Sequence, residues 1–176
     1  CERAEVVGMI PAPPAHFRFV SEPLASARLS PQAPPFNRGR KRTAAQSRGI
    51  RYERKAQEYL LSHLREFYVP SPWLHFREEG AENFRWCQPD GLLIDGQRGI
   101  INIVEIKYSH TSDAWWQLKN LYLPVLKKIF PIDLWSFEMV EVVRWYDPDV
   151  FFPEPVCLAN NPLKPSTKFK VHIFNP

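Results

Sequence analysis

The sequence predicts an α/β domain, a mixed central β-sheet flanked by helices, led in by an extended N-terminal arm. Three observations carry that expectation. Residues 48–67 and 113–130 repeat apolar side chains at the helical period, and residues 89–107 read as two short strands joined by a turn. The residues before the first helix show neither period. The arm is therefore expected over 1–47 and the domain over 48–176.

At 176 residues, 44% of them hydrophobic, the chain is long enough to bury a sizeable core. No apolar run approaches the roughly 18 residues of a membrane span, and no charged-then-apolar stretch argues for secretion. Cys1, Cys87 and Cys157 are odd in number, lack paired metal spacing and are too few for a four-cysteine iron–sulfur centre. A reduced, cytoplasmic setting is expected. The chain opens on Cys1 and not on Met, so a native start further upstream is expected.

The net charge of +4 is concentrated at the front. Residues 1–48 hold eight Arg or Lys against three Glu, whereas 49–176 hold 15 basic and 16 acidic residues. Seven prolines between Pro11 and Pro35 favour an extended or poorly ordered arm. Arg38, Arg40, Lys41 and Arg42 suit a DNA phosphate backbone, with an affinity that falls as salt rises. A solvated basic linker is the plainer alternative. Pro-rich arms also dock on partner proteins or on a second copy of the chain, which adds a protein partner and a homo-oligomer to the expectations.

Ser47 is the expected N-cap and Arg48 to Phe67 the first helix. Its apolar stripe runs Ile50, Ala56, Leu60, Leu64 and Phe67, with Gln57 among them, Glu53 inside it, and Arg51, Arg54, Lys55, Glu58 and Ser62 on the polar face. A carboxylate on a buried stripe is costly without a partner. A metal would supply one, and a capping Arg or Lys is the alternative.

After Pro70 and Pro72, Trp73 to Glu78 alternates as a first strand, in which His75 packs or faces solvent. Phe84 to Ile94 reads as the second strand, Asp95 to Gly99 as a turn, and Ile100 to Ile106 as the third strand. Ile101, Ile103, Glu105 and Lys107 then share one face, and Asn102, Val104 and Ile106 the other. Asp90 stands on the second strand right after Pro89. An acid and a base two apart, ending an apolar strand beside a second acid, are costly unless they serve each other or a ligand. Such a set suits a divalent cation with oxygen ligands and a lysine at hand. A hairpin with a surface salt bridge is the plainer alternative.

Thr111 or Ser112 caps a second helix over about 113–130, in which Pro124 introduces a kink and frees a carbonyl. Ala114, Leu118, Leu121, Val125 and Ile129 make its core stripe, Gln117 sits at the edge, and Trp116, Lys119, Asn120 and Lys127 point outward. Trp115 packs inside. Trp116 is open to stacking on an exposed base, and Lys119, Lys127 and Lys128 to a DNA backbone or to solvent. The loop residue His110 stands where it could protonate a leaving group. Trp135 to Tyr146 is the next strand, Asp147 and Asp149 are turn residues, and Lys168 to Phe174 is a final edge strand. There is no internal repeat, P-loop or GxGxxG.

Over residues 48–130 the sequence resembles the PD-(D/E)XK nuclease superfamily. The motif stands here as Pro89-Asp90, fourteen intervening residues, then Glu105-Ile106-Lys107. Glu53-Arg54-Lys55-Ala56-Gln57-Glu58-Tyr59-Leu60 is similar to the first helix of Holliday-junction-resolvase-like and RecB-like members, where a glutamate precedes an Ala-x-x-Tyr-Leu run. Gln117 and Tyr122 resemble the QxxxY pair of RecB-like and lambda-exonuclease-like members, at a spacing that departs slightly and leaves Tyr122 in doubt.

The resemblance implies a restriction-endonuclease-like core with the active site at the sheet's edge. It implies Mg²⁺, with Mn²⁺ substituting, bound by Glu53, Asp90, Glu105 and the Ile106 carbonyl. Lys107 would position or help deprotonate the attacking water, and Gln117 would orient Lys107 or touch a phosphate. The expected function is a metal-dependent deoxyribonuclease, exonuclease or endonuclease, in recombination, repair or the processing of phage or mobile-element DNA. The alternative is a non-catalytic nucleic-acid-binding module or protein-interaction subunit on the same core.

Overall fold

The computed structural model describes residues 12–35, 43–64, 67–145 and 170–174. At its centre is a mixed five-stranded sheet of order β2 (Tyr68–Pro70), β5 (Gly91–Asp95), β6 (Ile100–Ser109), β7 (Ser136–Trp145) and β8 (Lys170–Phe174). The β6–β7 pair is parallel and its neighbours on either side antiparallel. A parallel pair needs a crossover. Here α2 (Ser112–Gln117), a π-helical turn (Leu118–Tyr122) and α3 (Leu123–Ile129) make it. The other face of the sheet carries α1 (Ala44–His63). A second, antiparallel sheet of β1 (Leu24–Ser30), β3 (Trp73–Glu78) and β4 (Arg85–Cys87) closes over the first core.

The period-two pattern of β6 sorts its side chains as the sequence predicts. Ile101 and Ile103 enter a core with Leu74, Phe76, Leu118 and Val125, and Val104 and Ile106 enter a second core with Tyr52, Ala56 and Leu60. Burial on both faces explains the nearly unbroken apolar run of β6. Among the described residues the final strand, β8, is an edge strand, paired antiparallel with β7. No helix among the described residues is long and apolar enough to cross a membrane.

Four local expectations are corrected. The first helix is capped by Thr43 and not by Ser47: the Thr43 hydroxyl accepts from Gln46 N–H, and the Gln46 side chain accepts from Thr43 N–H. This reciprocal pair satisfies two otherwise unpaired donors, which a lone serine cannot match. The helix ends at His63, so Phe67 lies beyond it and is exposed, while Tyr52 joins the buried stripe.

The run from Phe84 to Ile94 is two strands in two different sheets, β4 and β5. Pro89 falls between them and has no N–H to continue a ladder. The second helix is broken by its π turn, and Pro124 falls in the first turn of α3. Pro124 has no N–H for the carbonyl four residues back, and that carbonyl, of Asn120, accepts from Val20 N–H at 2.8 Å.

The arm is partly built into the fold. Leu24–Ser30 pairs antiparallel with β3, Phe19 and Val20 pack on the first core, and Arg85 donates to the carbonyls of Arg18 and Phe19. The register of β1 shifts between Leu24 and Ser26, which scrambles the alternation that would announce a strand. Arg38, Arg40, Lys41 and Arg42 lie outside the described residues, as do Asp147 and Asp149.

Gly91 opens β5 where the Tyr68 ring lies against the backbone, and a Cβ there would overlap that ring. Tyr68 is buried and its hydroxyl reaches the Asp90 carbonyl at 3.3 Å, so it has little freedom to yield. Gly91→Ala is expected to cost about 1–3 kcal/mol, measured as a lowered midpoint in urea with an unchanged slope.

Candidate active site

The ladder between β5 and β6 ends at the pair Gly91–Val104. One residue earlier, Asp90 turns its carboxylate toward β6, and Oδ2 accepts the N–H of Ile106 at 2.6 Å. Side chain thus replaces backbone where the two strands part. N–H and C=O of one strand residue project from the same edge. The Ile106 carbonyl therefore faces the gap beyond the end of β5.

The backbone of Asp90 is held from several sides. Its carbonyl accepts from Ser71 N–H at 2.9 Å, Gln57 Nε2 at 3.1 Å and Tyr68 Oη at 3.3 Å. Gln88 fixes Ser71 in turn, donating from Nε2 to its carbonyl at 2.7 Å. Gln57, Tyr68 and Ser71 are supporting residues that no sequence motif marks. Gln57 gives a signal only as a polar residue on the apolar side of α1.

Glu105 and Lys107 leave β6 on the same face. Lys107 Nζ lies 2.6 Å from Glu105 Oε1 and donates to Gln117 Oε1 at 2.9 Å. Glu105 is buried, and its Oε2 has no hydrogen-bond partner. Glu53, half-buried on α1, adds a third carboxylate whose charge is felt by Asp90, Glu105 and Lys107.

Crowding shows in the ionisation of the group. Burial, then Glu105 and Glu53, hold the Asp90 carboxyl well above the usual range, against the opposing Ile106 N–H and Lys107. Burial raises Glu105 as well, Lys107 opposing it. Glu53 is raised by burial, again against Lys107. Burial works against the charge of Lys107, but Glu105, Asp90 and Glu141 outweigh it and the ammonium is held more firmly than in water. The neighbouring carboxylates thus favour the charged form of Lys107, which suits it to positioning.

Gln117 is buried and not at the helix edge. It bridges Lys107 and Tyr122, donating from Nε2 to Tyr122 Oη at 3.3 Å. In an α-helix, residues five apart point about 140° from each other. The π turn brings them into line: Leu123 N–H bonds to the Leu118 carbonyl, five residues back, and Gln117 and Tyr122 meet across the same widened turn. The irregular spacing in the sequence and the irregular helix are one feature. Tyr122, in doubt from spacing alone, belongs to the site, and its hydroxyl titrates well above the usual value through burial and the neighbouring Glu105 and Asp90.

The other expected residues stand elsewhere. His110 Nδ1 is 2.5 Å from Glu141 Oε2 and both are buried, so its ring is committed to Glu141 and not to a leaving group. Trp116 does not point outward: it is half-buried, packed on Phe19 at 5.8 Å and on Trp115 at 4.9 Å. Lys119 is half-buried with Nζ 5.4 Å from the centre of the Trp115 ring, whereas Lys127 and Lys128 are exposed.

Among the described residues, no three His, Cys, Asp or Glu side chains form a ready-made metal-holding group. The donor set nonetheless fits a hard divalent cation. Asp90 and Glu105 repel one another, Glu105 Oε2 is buried without a hydrogen-bond donor, and the Ile106 carbonyl opens on the same gap. Mg²⁺ characteristically takes one or two carboxylates and keeps several waters, so a closed protein cage is not required. No family model, curated protein or solved structure matches the chain.

Proposed function

We propose that the chain is a metal-dependent deoxyribonuclease with a restriction-endonuclease-like core, a PD-(D/E)XK nuclease in its chemistry. The observation that carries this reading is the convergence of Glu53, Asp90, Glu105, Lys107 and Gln117 at one parting of two strands. Structural ion pairs balance their charges. Three mutually repelling carboxylates beside one ammonium do not, and they suit a site awaiting a cation.

Asp90, Glu105 and the Ile106 carbonyl would hold Mg²⁺ or Mn²⁺, with Glu53 reaching it directly or through water. The ion would neutralise the phosphodiester and lower the pKa of a bound water. The chain's own part is orientation. Glu105 Oε1 and Gln117 Oε1 together fix the Lys107 ammonium, which is left to donate to the attacking water or a phosphoryl oxygen. Tyr122 holds Gln117 in turn. The attacking water gives a proton to solvent as its oxygen bonds to phosphorus, the ester P–O bond breaks, and the departing oxygen takes a proton from solvent.

The test is incubation of linear, closed-circular, single-stranded and four-way-junction DNA with Mg²⁺, Mn²⁺ or EDTA, beside an Asp90→Ala control. Cutting that needs the metal and Asp90 is expected, and the preferred substrate assigns exonuclease or endonuclease. The lack of a three-ligand group among the described residues favours a second reading, a non-catalytic nucleic-acid-binding module. DNA binding without cutting in either metal would decide for it.

A further inference from the structure

The outer side of the small sheet carries a feature that the carboxylate site does not use. On β3, Leu74 and Phe76 point into the core, so Trp73, His75 and Arg77 point away from it. Cys87 is the inward residue of β4, which turns Trp86 outward opposite His75. Arg28 of β1 lies on the other flank of His75 and donates from Nε to its Nδ1 at 3.2 Å. Phe84 completes the layer, stacked on His75 at 4.4 Å and 18° with the Arg77 guanidinium 5.3 Å from its centre.

Aromatic rings and arginines thus alternate across one sheet face. Among the described residues no Asp or Glu occupies a position on that side of the three strands. A hydrophobic mini-core would not need two arginines, and a solvated face would not need three large rings with Phe84 48% exposed. The combination fits a polyanion that also offers flat apolar faces. Unpaired nucleotides do so; a duplex hides its bases.

We propose that this face binds single-stranded DNA, its bases stacking on Trp73, Phe84 and Trp86 and its phosphates meeting Arg28 and Arg77. Two of the rings on this face are close in sequence to residues that support the carboxylate site. Trp73 and Trp86 stand two residues from Ser71 and Gln88, the pair that fixes the Asp90 backbone. The choice of DNA over RNA rests on the deoxyribonuclease reading; the binding itself requires no cleavage.

The test uses the full chain with Asp90→Ala, in EDTA, titrated with short labelled single-stranded DNA, the matching duplex and the matching RNA. Single-stranded DNA is expected to bind most tightly and to quench tryptophan fluorescence. Phe84→Ala, at an exposed position, is expected to weaken it about tenfold. Arg28→Glu with Arg77→Glu is expected to weaken it further and to flatten its salt dependence. Circular dichroism checks that each variant is folded. Absence of binding, equal or tighter binding of duplex or RNA, or folded variants that bind as well as their parent would overturn the proposal. Because nothing in the assay needs metal or cutting, its failure is separable from failure of the nuclease reading.

Discussion

Lys107→Ala is expected to lose DNA cutting by roughly a hundred- to a thousandfold, the scale on which removal of one positioned donor acts. It is also expected to become unstable as pH rises. Glu105 keeps its buried carboxylate but loses the ammonium 2.6 Å away. Its folded-state pKa, already raised by burial, then lies further above that of the unfolded chain. A raised value means that the folded state binds the proton more tightly. The stabilisation this brings is complete below the unfolded value and is lost as pH climbs through the folded one. Near pH 5 the variant should melt close to the parent, and near pH 8 well below it. Breaking a fully buried pair costs about 3–5 kcal/mol, so about 2–3 kcal/mol is expected here at pH 8, because the Lys107 side chain is 26% exposed. Thermal melts at the two pH values read the difference, and a loss equal at both would show that the lysine does not serve Glu105.

Asp90→Asn is expected to abolish metal-dependent cutting and yet to melt higher than the parent in EDTA. Burial and the charges of Glu105 and Glu53 hold the Asp90 carboxyl well above its usual pKa. With the sign as before, the parent loses stability as pH rises through that range, and the amide does not titrate. Asn keeps an oxygen for the Ile106 N–H, so the strand junction survives. A gain of several degrees near pH 8 is the scale expected when a strained functional group is removed. Added Mg²⁺ should raise the parent and leave the variant unmoved. An inactive variant that melts lower in EDTA would mean that Asp90 is a structural acceptor and not part of a charged site.

The parts of this site that the sequence shows are those where chemistry conflicts with burial. Glu53 among apolar helix positions and Glu105 at the end of an apolar strand each sit where a charge has no bland reason to be, and the fold brings both to Asp90 and Lys107. The strand β6 was legible because both its faces are core. Elements that depend on tertiary contacts were not. β1 hides its period behind a register shift, and β2 is three residues long, too short to show one. The jump between sheets at Pro89 looks like one continuous strand when only apolarity is read. The Thr43–Gln46 box was present as a pattern, but Ser47, closer to the apolar stripe, competes for the same role. Tyr122 needed knowledge of the π turn, since five-residue spacing places two side chains on different sides of an ordinary helix.

The most direct test of the account is a Mn²⁺ titration followed by electron paramagnetic resonance, on the parent, Asp90→Ala and Glu105→Gln at pH 8. The account predicts saturable binding to the parent, weakening of at least about tenfold in each variant, and competition by Mg²⁺. Unchanged affinity in both folded variants would contradict it, because the three carboxylates would then repel one another for no cation's sake.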